Sequence, residues 1–385
     1  MTAPTPQPHL FLLWSRARSE ETRILEDAAR RFRLRRVLEL RWSEERFGEN
    51  LTRFYGEKLP PGSRKELHCG NGPMLALIVD DRAPRQEPRA TSRGTEEVNA
   101  ATFDAKACWR EWTGGGHKIH GTNSPEEVRH DLALLFGREA DLLTRPDAPD
   151  WDGRIESRAQ DLAGAGGWRD LAELFFVLDA TLPHVVLRNF AGLLDAGPAR
   201  DHPDIDLLVE QFQSAAWIVN GRPTHPRRAE RVQVAVAVGG QRACLDLRHV
   251  GDGYFDARWQ RELLARRLRD GGGLWVPCAE DHFHSLAYHA LIHKPALAAD
   301  YVARLRELAP TAGIAAADCA RLGDRAALRE LLARWMAARG YAFTEPHDRS
   351  VHFEAASAGL GTSLRRRAHL ALRSLRRLAR GRARG

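Results

Sequence analysis

Asp204 and Asp206 stand two residues apart in the alternating segment DIDLLV, which places both carboxylates on one face of a strand entering a core. Two such carboxylates can share a divalent cation. A third, Asp246, lies on the second strand of the hairpin expected from VQVAVAVGGQRACLDLRHV, two β-rich runs around Gly239-Gly240. An all-oxygen site suits magnesium, with manganese as the alternative ion, and suffices to clamp a nucleoside triphosphate and activate an acceptor hydroxyl. A DxD pair alone also occurs in other transferases and in ordinary loops, so the third aspartate carries weight. His282, His289 and His293 fall close to one face of a helix expected over PCAEDHFHSLAYHALIHKP. Two histidines at i and i+4 can bind zinc, but without an HExxH pattern or a third ligand, packing or phosphate contact is the better reading.

The elements before this region alternate. HLFLLW is a short apolar run suited to a buried strand, and SEETRILEDAARRF follows with Ile24, Leu25, Ala28, Ala29 and Phe32 on one helical face, Ser19 being the expected N-cap. VLELRW reads as a strand, Ser43, Glu44 and Glu45 open a second helix, PMLALIVD is a further buried strand, and Pro125 to Phe136 is a later helix. The order strand, helix, strand, helix, strand describes a mixed α/β layer.

Within this layout GGGHKIHGTNSPEEVRHDLALLFG resembles the active-site segment of nucleoside diphosphate kinases. GNGPMLALIVDD, FYGEKLPPG and HLFLLW extend the likeness upstream in the same order, from Leu10 to Gly137. The resemblance implies a ferredoxin-like domain over 8–140 in which His120 accepts a phosphoryl group from one nucleotide and passes it to a second. It implies that Asp131 holds the other ring nitrogen and fixes the tautomer, that Thr122 is the hydroxyl beside it, and that Tyr55 or Phe54 contacts phosphate with Lys58 following. Two positions depart: Trp14-Ser15 replaces the family's Lys-Pro, and His117 replaces its asparagine. Lys106, Arg110, Lys118 and Arg16 are the cations in place to substitute for its arginines.

A Pro- and Asp-rich stretch, RPDAPDWDGR over 145–154, marks the expected linker. From His184 to Lys294 the chain resembles the nucleotidyltransferase fold of polymerase β-like enzymes, which implies a mixed-sheet domain over 155–294 with magnesium on Asp204, Asp206 and Asp246. That family's Gly-Gly or Gly-Ser pair is absent. Leu187-Arg188-Asn189-Phe190 stands there instead, making Arg188 the expected phosphate contact, with Arg200 and His202 in the loop beyond. A helical appendage is expected over 295–345. In the basic tail expected over 361–385, the arginine-rich SLRRRAHLALRSLRRLARGRARG from Ser363 carries an apolar stripe suited to an anionic membrane surface or to nucleic acid.

At 385 residues, 43% hydrophobic and 28% charged, the chain is long enough for two packed domains and too apolar for wholesale disorder. Five well-separated cysteines and no CxxC pair fit a reducing cytoplasm, with the tail as a peripheral contact to the inner membrane face. Together these features predict a metal-dependent nucleotidyl or phosphoryl transferase fused to a nucleoside diphosphate kinase-like domain. Its partners would be a nucleoside triphosphate and an acceptor such as a sugar or glycan in surface assembly, with a homo-oligomer implied by the kinase resemblance. The alternatives are a nucleoside diphosphate kinase acting alone and a non-catalytic, nucleotide-responsive scaffold.

Overall fold

A computed structural model describes residues 5–91, 94–197, 204–228 and 230–359. The tail over 361–385 and the loop residues Arg200 and His202 lie outside the described residues. The chain divides into two units: the first takes residues up to Leu182 with Ala216–Gly221 and Val236–Arg242, and the second takes Pro183–Ala215, Arg222–Ala235 and the chain from Ala243 onward.

In the first unit β1 (Gln7–Leu13) leads through a 3-10 turn into α1 (Glu21–Arg31), β2 (Arg33–Arg41), α2 (Phe47–Tyr55), α3 (Arg64–Cys69) and β3 (Met74–Asp81). The hairpin β4 (Gln86–Thr91) and β5 (Gly94–Asn99) precedes α4 (Ala100–Trp112), β6 (Ile119–Gly121), α5 (Pro125–Phe136) and the short α6 (Ala140–Leu143). The strands stand in the order β6-β1-β3-β2 with every neighbour antiparallel, the ferredoxin-like arrangement. All eight residues of β3 are buried. Met74 to Val79 are apolar because helices cover both faces, while Asp80 and Asp81 at the strand end are met by Arg35 and Asn99. Phe11, Leu13, Leu75 and Leu77 pack with Ile24, Ala28, Ala105 and Trp109 on one side. Leu10 and Leu12 point the other way and are equally buried, with α5 over β1.

Two local expectations are corrected. Ser19 does not cap α1; it lies within the 3-10 turn Ser15–Glu20, and Glu20 stands at the N-cap without a side-chain bond. The stretch over 145–154 is not a linker. Buried Arg35 donates to the carbonyls of Arg145, Pro146 and Ala148, and the Trp151 amide donates to Leu34 O. β7 (Glu156–Ala159) then joins the same sheet parallel to β2, and α7 (Leu171–Thr181) completes the unit. Pro and Asp read as solvated chain in one dimension, whereas a guanidinium in a cleft draws their carbonyls onto the body.

The second unit holds β8 (His184–Val186), α8 (Leu193–Ala196), β9 (Asp204–Val209), α9 (Phe212–Ile218), β10 (Arg222–Pro223), β11 (Gln233–Val238) and β12 (Gln241–His249), some of these elements reaching into the first unit's segments. The sheet runs β10-β11-β12-β9-β8, with β12 parallel and β8 antiparallel to β9. α10 (Ala257–Ala265), α11 (Ala279–Ile292), α12 (Ala299–Leu308), α13 (Ala316–Cys319) and α14 (Arg325–Arg339) follow. The segment 295–345 is not an appendage: Leu305, Leu328, Leu332, Trp335 and Met336 share one core with Leu208, Phe283 and Tyr288. Among the described residues no helix is long and apolar enough to cross a membrane.

Gly121, paired with Phe11 across β1 and β6, has room for hydrogen alone, since a Cβ there would lie 2.7 Å from the Phe11 ring. Overpacking a filled core costs about 1–3 kcal/mol. Gly121→Ala is therefore expected to lower the urea midpoint by a corresponding amount, and a midpoint equal to wild type contradicts this packing.

Candidate functional site

His120 sits in the middle of β6, opposite Leu12 of β1. The strand ends at Gly121, and α5 begins three residues later with Ser124 capping it through the Glu127 amide and Pro125 in its first turn. The Glu127 carboxylate in turn accepts from the Asn123 amide at 2.7 Å. One helical turn further, Asp131 projects back to His120: Nε2 and the carboxylate are 2.6 Å apart, and the second carboxylate oxygen meets His130 Nδ1 at 2.9 Å. Asp131 is 4% exposed. Burial opposes its charge, but the imidazoles of His120 and His130 outweigh burial and hold its carboxyl below the usual range. With Nε2–H donating to Asp131, His120 Nδ1 has no hydrogen-bond partner among the described residues, and the ring is 20% exposed.

Aromatic rings wall this histidine. Phe54 and Tyr55 stand edge-on to it with centroids 5.1 and 5.9 Å away. Trp14, at the position of the family's lysine, is buried against Trp42 and Phe54, and its indole N–H donates to the Tyr55 hydroxyl at 3.0 Å. The lost charge returns from another element. Lys65 of α3 lies 4.0 Å over the Tyr55 ring and pairs with Glu57. The His68 and His117 rings lie 5.6 Å apart. Loss of hydration, then the charges of Lys65, Arg110, His68 and Arg64, lowers the pKa of His117. Arg64, Lys65 and Arg110 thus make a positive rim around a neutral His117, with Lys65 reaching over Tyr55. Arg64, Lys65 and His68 went unsingled by sequence reasoning; the signal was RKELH following a Pro-Pro-Gly turn, which looks like any solvated helix start.

The other expected contacts take different posts. Lys58 is exposed in the loop after α2. Lys106 is buried on α4 and donates to Gly121 O at 3.1 Å and Asn123 Oδ1 at 2.6 Å, bracing the turn that follows His120. Thr122 is fully buried, and its hydroxyl accepts from the Leu10 amide at 3.0 Å and meets His9 Nδ1 at 3.2 Å. Both residues position the histidine strand.

In the second unit the register sets Asp246 directly beside Asp206 on parallel neighbours, with Asp204 opposite Cys244. The three carboxylates share a face. Burial, then the charges of Asp246 and Asp206, pushes the carboxyl of Asp204 up. Two of the three carboxylates are nevertheless engaged by arginines. Both oxygens of Asp206 are taken by Arg188, at 2.9 and 2.7 Å, and Asp246 accepts from Arg248 at 2.9 Å. Among the described residues no group of three or more His, Cys, Asp or Glu side chains is placed to hold a metal ion. Arg188, expected to contact phosphate, is brought to Asp206 and Tyr254. The histidines of α11 likewise pack: His284 stacks on Trp335 at 3.9 Å and His289 Nδ1 meets the Tyr254 hydroxyl at 2.7 Å.

Because Asp131 is held below the ordinary carboxylate range, it contributes stability that is full above about pH 4 and is lost as pH falls through its lowered pKa. Asp131→Asn should remove that part of the acid dependence, seen as a flatter profile of urea midpoint against pH below about 4; an unchanged profile counts against the buried charge.

No family model and no solved structure matches the chain. A curated nucleoside diphosphate kinase of Deinococcus radiodurans is 30% identical over 103 residues, which make up 26% of this chain and 68% of that protein, the likeness falling in the N-terminal region. The likeness therefore joins a ferredoxin-like sheet to a strand-borne histidine held by a buried carboxylate, and through its N-terminal region the chain belongs to the nucleoside diphosphate kinase family.

Proposed function

We propose that the first domain transfers phosphoryl groups from nucleoside triphosphates through a phosphohistidine at His120. One observation carries the reading: Asp131 engages Nε2 at 2.6 Å, which leaves the Nδ1 lone pair open beside a positive rim. In the first step Nδ1 attacks the γ-phosphorus, the N–P bond forms, the bond to the bridging oxygen breaks, and the nucleoside diphosphate leaves. The Nε2 proton stays directed at Asp131, whose charge offsets the positive charge that develops on the ring. In the second step a nucleoside diphosphate takes the phosphoryl group and the neutral imidazole returns. Lys65, Arg64 and Arg110 supply the electrostatic stabilisation that Trp14 has given up.

Nucleotidyl transfer by the second domain has in its favour the register that sets Asp246 beside Asp206. Arg188 takes the carboxylate that magnesium would need, so no step is assigned there. A glycan acceptor and an oligomer remain part of the same reading by resemblance, and a membrane contact of the tail by its arginine-rich amphipathic pattern.

Incubation with γ-labelled ATP tests the proposal. Wild type should acquire acid-labile label on histidine, His120→Ala should acquire none, and Lys65→Gln should label about 10- to 100-fold more slowly because one phosphate clamp is gone. Equal label on His120→Ala, or none on wild type, defeats it.

A further inference from the structure

The second unit carries a half-open cavity of about 540 Å³, lined by aspartates, Asp300 and Asp348 among them, and by arginines and Lys294. Arg188 spends Nε and Nη2 on Asp206 and Tyr254. Arg188 lines the cavity, and its Nη1 has no acceptor among the described residues. The Tyr254 hydroxyl accepts from Arg188 at 3.0 Å, so its own proton goes to His289 Nδ1, 2.7 Å away. That bond fixes the tautomer of His289 with the proton on Nε2. His289 is 6% exposed, lines the cavity, and its Nε2 has no partner among the described residues. Lys294 and Arg304 line the same space and form no ion pair among the described residues. Arg304 is held by Asn189 Oδ1 at 2.8 Å, and Asn189 takes a left-handed backbone, φ 56°, to present that oxygen.

Three donors, Arg188 Nη1, the His289 Nε2–H and Lys294, therefore line one cavity without an acceptor among the described residues, and Arg304, anchored on Asn189, lines it beside them. On the sheet side stand the carboxylates of Asp204 and Asp246, of which Asp204 is bonded only to Gln233, at 3.2 Å. Neutral water satisfies such donors poorly compared with an oxyanion, whose charge-assisted bonds are about twice as strong. We propose that this cavity binds a phosphate monoester carrying free hydroxyl groups, its phosphate held by Arg188, Lys294, Arg304 and the His289 Nε2–H without a divalent metal, its hydroxyls accepted by Asp204 and Asp246. The inference stands apart from phosphotransfer at His120, and Arg188 is its centre. The guanidinium that excludes a metal from Asp206 is positioned by that pair to present Nη1 to the ligand.

Calorimetric titration of the full chain in EDTA tests this with glucose 1-phosphate, AMP and inorganic phosphate as probes. A sugar phosphate source predicts the strongest heat with glucose 1-phosphate, a nucleotide source with AMP, and both esters should exceed inorganic phosphate. Lys294→Gln and Arg304→Gln, at partly exposed positions, should each weaken the best ester about tenfold, while Arg64→Gln beside His120 leaves it unchanged. Circular dichroism and thermal midpoints confirm that the variants are folded. Four results overturn the proposal: no heat from either ester, heat only after magnesium replaces EDTA, heat indifferent to Lys294→Gln and Arg304→Gln, or heat abolished by Arg64→Gln, which would place the ligand at the kinase-like site.

Discussion

A carboxylate taken out of water must find a partner or lose its charge, and Asp131 meets that demand with two imidazoles. The requirement ties α5 to β6 and so fixes where the histidine strand ends. It also explains the crowding on the opposite side of that strand. Gly121 can close on Phe11 only as glycine, Thr122 turns inward to satisfy the Leu10 amide, and Lys106 braces the turn from α4. These contacts leave one nitrogen of His120 uncommitted. The nitrogen left open is defined by what its neighbours have already taken.

The first domain shows how a site can keep its electrostatics while changing its residues. Trp14 removes a charge from the end of β1 and ties up the Tyr55 hydroxyl, which would leave the pocket apolar by itself. α3 brings Lys65 over the same tyrosine, with Arg64, His68, Arg110 and His117 around it. A phosphate responds to field and hydrogen bonds rather than to the strand that supplies them, so a compensating rim is physically sufficient.

The second domain carries the opposite lesson. Three aspartates at the spacing of a magnesium site converge as their strand pattern requires, but pairing decides their use. Arg188 from the end of β8 reaches Asp206 in a bidentate fork, and Arg248, two residues along the strand from Asp246, pairs with it. An arginine and a metal cannot both take the same two oxygens. Arg188 therefore fixes Asp206 and is itself fixed by it, at the edge of the cavity that both line.

How much of this was legible in order of residues divides along range. Local periodicity and turn chemistry were enough for β1, β3, β9, the β11–β12 hairpin and α5 from Pro125 to Phe136, because those signals are short-range and repeat within a few residues. The pairing of His120 with Asp131 was implied by resemblance, and it spans a single helix. Other features depended on partners more than a hundred residues away. Arg35 captures the supposed linker, and the helices beyond Pro295 close the core of the second unit. Arg188 lies only 18 residues from Asp206, yet nothing in a linear chain says that its guanidinium folds back onto that carboxylate. Sequence by itself determined which groups were available and on which faces of their elements; tertiary structure alone decided which of them are spent on one another, because an ion pair depends on distance through space and leaves no periodic trace along the chain.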